Sequence, residues 1–182
     1  MKLHNDNLIF SPSDLILFLE SPFASWMEHF GLISPEALDL KDQDDAMMLM
    51  LQDKGAEHES SVLEGLKQQG LTIANIGLSS DKKAATIQAM KEGADVVFQA
   101  CLSQDQFTGF ADFLVKVPGS SQLGDYHYEI WDTKLSKSLQ PYYTIQLCCY
   151  QEMIAAIQGR YSNDFVIILG DQTQQRLRTQ EI

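Results

Sequence analysis

The chain of 182 residues is long enough for one domain with a real core, and its 45% hydrophobic and 9% aromatic content excludes a disordered polypeptide. Its 25 acidic residues against 13 basic ones give a formal charge of −12, which excludes broad, nonspecific binding of polyanions through many Lys/Arg–phosphate contacts. No apolar run reaches the ~18 residues of a membrane helix, so no membrane partner is expected.

The apolar stretch near the N-terminus follows Asp14 and is broken by Glu20, unlike a secretory signal. Cys101, Cys148 and Cys149 form neither a disulfide framework nor a C-x-x-C zinc pair, and they read as small hydrophobes in a reducing, cytoplasmic setting.

In chain order, "SPSD" at 11–14 predicts a helix start, with Leu15, Phe18 and Leu19 at helical spacing. Pro22 interrupts that helix, and "FASWMEHFG" predicts a second one stopped by Gly31. Residues 34–45 read as a polar connector. A long helix runs from Ala46 toward Gln69, with Gly70 as its C-cap. "LTIANIGL" alternates like a short strand, and 81–92 is helical with Gly93 as the stop.

Three strands follow: "DVVFQACLS", "FTGFADFLVKV" and "YHYEIWDTK". A short polar link at 103–106 joins the first two. Pro118, Gly119, Ser120, Ser121 and Gly124 mark a loop before the third. Pro141 suits the first turn of a helix reaching about Gln158, and "DFVIILG" is a last, buried strand. "DQTQQRLRTQEI" has no packing pattern, and reads as a tail or as the point where a longer protein continues. The order predicts an α/β fold with a mixed sheet in a single domain, residues 1–182.

Three Asp-x-Lys triplets occur, Asp39/Lys41, Asp81/Lys83 and Asp132/Lys134, and only the third ends an apolar strand. There Trp131 and Thr133 share one face while Asp132 and Lys134 share the other. Asp112 adds a second carboxylate inside an apolar run of the preceding strand. Two such carboxylates ~5 Å apart at an effective dielectric of ~20 repel by about 3 kcal/mol. Protonation, an ammonium partner or a hard cation such as Mg²⁺ or Mn²⁺ relieves that repulsion. A buried ion pair without chemistry explains the same residues equally well.

Gln146 and Tyr150, four apart, share a face of the following helix and can position Lys134 or contact a phosphate. Lys134, Lys137 and Arg160 can add local positive charge. His58 lies on the long first helix, where Glu57 and Glu59 read as solvated neighbours. Glu129 and Asp125 read as outward-facing.

These parts, in this order, resemble the RecB-like nucleases of the PD-(D/E)XK superfamily. The matching elements are His58 after Gly55, Gly109-Phe110-Ala111-Asp112-Phe113, Glu129-Ile130-Trp131-Asp132-Thr133-Lys134, and Gln146-x-x-x-Tyr150, with "SPSDLILFLESPF" similar to the N-terminal segment of that family. The resemblance spans about residues 8 to 170. It implies a restriction-endonuclease-like core and a metal-dependent, exonuclease-like deoxyribonuclease in DNA processing or repair. It also implies DNA, single-stranded or as duplex ends, as the substrate and a fused or associated helicase as a partner.

It further implies that His58, Asp112, Asp132 and the Thr133 carbonyl hold Mg²⁺ or Mn²⁺. Lys134 would orient or deprotonate the attacking water, and Gln146 and Tyr150 would support the site and the DNA strand. Some relatives carry an iron–sulfur cluster whose first cysteine precedes the proline matching Pro22. Here that position is Ser21 and no late cysteine cluster follows Tyr150, so no cluster is expected. The alternative is an inactive module of the same fold that docks DNA or protein in a larger helicase/nuclease assembly.

Overall fold

In the computed structural model, residues 1–5, 7–38 and 46–179 are described. The expected connector therefore lies partly outside them, as does the Asp39/Lys41 triplet. The chain opens with a small antiparallel hairpin, β1 (Lys2–His4) and β2 (Asn7–Ile9). Helix α1 (Pro12–Glu20) begins as the sequence predicts: Ser11 and Asp14 cap it reciprocally, with Asp14 Oδ2 accepting from Ser11 N at 2.7 Å. Ser21 then caps α2 (Pro22–Ile33), so Pro22 starts a helix as well as ending one. Gly31 does not stop α2, which runs two residues further. A short helix α3 (Pro35–Leu38) precedes the long α4 (Ala46–Gln68).

After β3 (Ile73–Asn75) and a 3₁₀ turn come α5 (Lys82–Glu92), β4 (Val96–Gln104), β5 (Phe107–Ser121), β6 (Gly124–Lys134), α6 (Pro141–Gln158), β7 (Asp164–Leu169) and β8 (Gln174–Arg178). Two strand expectations need correction. β5 runs through Pro118 and Gly119 to Ser121, with a register shift between Pro118 and Ser121, so the predicted loop shrinks to a tight hairpin. The supposed tail forms β8, antiparallel to β7, with Leu177 packed on the core and Arg176 bound to Glu129 and Asp164. An i,i+2 pattern of only five residues at a sheet edge is too weak a signal to read in sequence.

The sheet is six-stranded and mixed, in the order β3-β4-β5-β6-β7-β8, with β3/β4 and β6/β7 parallel. Helices α5 and α6 cover one face through Met90, Leu147, Met153 and Ile154. Helix α4 covers the other through Val62, Leu63 and Leu66. The expected α/β fold with a mixed sheet is present. None of the described helices is long and apolar enough to cross a membrane.

Two close approaches fix how the helices and loops meet the strands. A Cβ on Gly170 would lie 2.2 Å from the Leu135 carbonyl oxygen, just past the end of β6. A Cβ on Gly109 would lie 2.7 Å from the Tyr150 ring and 2.9 Å from Pro12. Gly170→Ala must displace backbone and should cost about 1–3 kcal/mol in a urea unfolding series. An unchanged midpoint would show that the β6–α6 loop yields freely.

A candidate active site where the sheet forks

The β5–β6 ladder ends at Phe113↔Trp131, although both strands continue. Beyond that pair β5 stays with β4 as far as Phe107↔Gln104, and β6 stays with β7 as far as Lys134↔Leu169. The sheet therefore forks, and antiparallel register brings Asp112 opposite Asp132 at the fork.

A second irregularity sits beside it. The β4–β5 ladder skips Gln99 and Asp112, and Gln99 has φ 55°, a conformation uncommon for a residue with a side chain. Val97 and Ala100 consequently pack in the same cluster, as do Ala111 and Leu114, so the faces of both strands exchange at this point. The kink takes Asp112 out of the apolar alternation around it.

Asp112 Oδ2 accepts from Thr133 N–H and from Thr133 Oγ1, each at 2.7 Å. These bonds stand where ladder bonds would have continued. Asp132 is buried, 1% exposed, and its Oδ2 faces Lys134 Nζ at 2.6 Å. That ammonium compensates the buried oxygen, which accepts no other hydrogen bond among the described residues. Lys134 Nζ also donates to Gln146 Oε1 at 3.0 Å and lies 5.3 Å from the centre of the Tyr143 ring. Tyr150 is buried and donates to the Phe110 carbonyl at 2.7 Å. Helix α6 thus holds both the ammonium and the rim of the fork, as the Gln146/Tyr150 spacing predicts.

Burial, and next the Asp112 charge, push Asp132 up to about 7 against the pull of Lys134. Burial is the largest influence on Lys134 and lowers its pKa, but the Asp132 charge and hydrogen bond, with the Asp112 charge and Tyr143, together leave the amine above its usual value. Burial also raises Tyr150.

Three expectations are corrected here. Glu59, expected in solvent, is half-buried and hydrogen-bonded to Gln99. Burial and then the Asp112 charge push it up to about 7, Asp132 adding to the rise and Gln99 opposing it. Glu59 is the candidate site residue that sequence reading missed; its signal is non-local, because it lies on α4 and Gln99 holds it from β4. Glu129, expected outward, is buried and paired with Arg176 at 2.9 Å. Arg160 donates to the Ser120 carbonyl near the far end of β5, away from the fork.

His58 is buried, but its ring serves other partners. Nε2 lies 3.2 Å from the Ile168 carbonyl, a contact that needs an N–H, which leaves Nδ1 to accept from Gln172 Nε2 at 3.3 Å. Among the described residues, no three His, Cys, Asp or Glu side chains stand together as a ready metal cluster. What the fork does offer is a carboxylate pair, one member buried with the Lys134 ammonium as its partner, beside the backbone of Thr133. Mg²⁺ is commonly held by one or two carboxylates plus waters and substrate phosphate, so this donor set fits.

The metal-free site makes stability depend on pH. Asp132 and Glu59 hold their protons to about pH 7 when folded and to about 4 when unfolded. Between those values the folded state binds more protons, so stability falls as pH rises. Asp132, fully buried, contributes the larger share of that fall; Glu59, partly solvent-screened, adds less. Melts in EDTA should show a higher midpoint near pH 5.5 than at pH 8, and the reverse order would contradict this electrostatic reading.

Comparison with protein-family models and with curated proteins finds no match to this chain.

Proposed function

We propose that the chain is a metal-dependent nuclease of RecB-like type with a restriction-endonuclease-like core, hydrolysing phosphodiester bonds of DNA in processing or repair. The observation that carries this reading is the sheet fork, where Asp112 and Asp132 meet beside an ammonium held from two sides. Asp112 and Asp132, with the Thr133 carbonyl, would hold Mg²⁺ or Mn²⁺; His58 would join only by exchanging its present partners. A bound divalent ion supplies charge neutralisation at the phosphate and lowers the pKa of a coordinated water.

The protein's own groups do the rest. Lys134, raised by Asp132, stays protonated at neutral pH, so it orients the attacking water and stabilises phosphate charge and does not act as a base. Gln146 fixes the direction of that ammonium, and Tyr150 fixes the β5 backbone at Phe110. Glu59, half-buried and close enough to feel the Asp112 and Asp132 charges, would be the group available to receive a proton from water.

Incubation with single- and double-stranded DNA and Mn²⁺ tests the proposal, with wild type beside Lys134→Ala and Asp112→Ala. Cleavage confined to wild type is expected, and equal residual cleavage by all three would end the assignment.

A second reading is a docking module of the same fold within a helicase/nuclease assembly. The exposed apolar side chains Phe23 (70%), Trp26 (53%) and Met47 (67%) on α2 and α4 favour it. It predicts that wild type neither binds Mn²⁺ nor cleaves.

A further inference from the structure

Helix α2 has no buried residue. Yet Phe23, Trp26, Phe30 and Ile33 recur along it at intervals of three, four and three, the seam by which one helix packs against another. The stripe is pre-shaped: the Trp26 ring stacks on Phe23 at 6.0 Å and on Phe30 at 5.2 Å between centres. A hollow of about 240 Å³ beside Phe18, Trp26 and His29 leaves room for a further side chain.

The outer end of α4 is open in a complementary way. Residues 46–54 are exposed on every side, although Met47, Leu49, Met50 and Leu51 are apolar. A helix that is apolar all round belongs in an enclosed setting. Its flexible methionines suit an irregular aromatic surface. Lengths also match: residues 46–54 rise by ~13 Å, and Phe23 to Ile33 by ~15 Å. Residues 46–52 carry no charge, and α2 carries only Glu28 and His29 as titratable groups.

We propose that these two surfaces form a reciprocal interface between two copies of this chain, each copy laying its α4 end along the α2 stripe of the other. Area selects that occupant. Phe23, Trp26 and Ile33 of the stripe and the four apolar residues of the α4 end are 44% to 70% exposed. At roughly 100 Å² apiece they present about 700 Å² per copy, close to the ~800 Å² that a stable interface takes from each partner. One surface alone offers only about half of that, the scale of a passing contact. A second copy covers both at once and brings the matching shape to each, as a two-fold axis requires. Charge points the same way: copies of charge −12 repel over most of their surface, and this neutral region is where they approach most cheaply. The inference stands apart from the nuclease reading.

Size-exclusion chromatography with light scattering on the full chain, across a dilution series, tests it. Wild type should elute at twice the chain mass. Trp26→Lys and Met50→Glu should each fall to the mass of one chain; both side chains are exposed, so neither change touches the core. Mixing the two variants should restore the doubled mass. The mixed pair keeps one contact intact and sets Lys against Glu in the other, and its recovery also shows that each variant is folded. Leu78→Glu, 87% exposed in the 3₁₀ turn after β3 and outside both surfaces, should stay at the doubled mass. A wild type of single mass, a Met50→Glu protein that remains double, a mixture that stays single, or an equal loss in Leu78→Glu overturns the proposal. A single-mass wild type that cleaves DNA with Mn²⁺ ends the dimer and leaves the nuclease reading standing. A double-mass wild type that never cleaves does the opposite.

Discussion

Lys134→Met will destabilise the protein by about 3–5 kcal/mol at pH 8, the usual result of removing one member of a buried ion pair. Asp132 is 2% exposed at its side chain and Lys134 20%, so neither is well solvated. Without the ammonium, Asp132 keeps the repulsion of Asp112 and an oxygen with no hydrogen bond. Its escape is protonation, which becomes easier by about 1.4 kcal/mol for each unit the pH falls. The deficit should therefore shrink steadily between pH 8 and pH 5.5 in parallel urea titrations of the two proteins. A deficit that is small at pH 8, or independent of pH, would mean that the pair is solvated and the site loosely built. If the proposed nuclease reading holds, activity should vanish with the substitution even at a pH where stability has recovered, because Lys134 would act on the reacting phosphate as well as on Asp132.

Asp112→Asn should move stability and activity in opposite directions. An amide oxygen can still accept from Thr133 N–H and Oγ1, so the local hydrogen bonds survive. The like-charge repulsion felt by Asp132 and Glu59 disappears, and the metal-free protein should gain about 1–3 kcal/mol at pH 8. Metal-dependent cleavage should fall by a factor on the order of a thousand, the several kcal/mol that a metal ligand contributes. Thermal melts and initial cleavage rates of one preparation check both halves. Loss of activity with equal loss of stability would indicate a merely structural carboxylate.

Much of the frame was legible residue by residue. Ser11, Gly93 and Pro141 announce helix ends through capping and backbone chemistry, and each does so here. The Asp132/Lys134 face and the Gln146/Tyr150 face were readable because strand and helix periods are local properties. The fork was not legible: no single segment records where two strands part, and the left-handed Gln99 opposite Asp112 has no sequence signature. Glu59 and Glu129 were misread for the same reason, since the side chains that bury or pair them, Gln99 and Arg176, lie at least 40 residues away along the chain. The His58 ring is expected from the resemblance to meet the carboxylates, but Ile168 of β7 and Gln172 engage it.

A calorimetric titration of the metal-free protein with Mn²⁺ at pH 6.5, beside Asp132→Asn, bears most directly on the cation site. One-site binding is expected in wild type, with protons released in proportion as Asp132 and Glu59 give them up, and none in the variant. Silence in wild type, or identical heat in both proteins, would contradict the account.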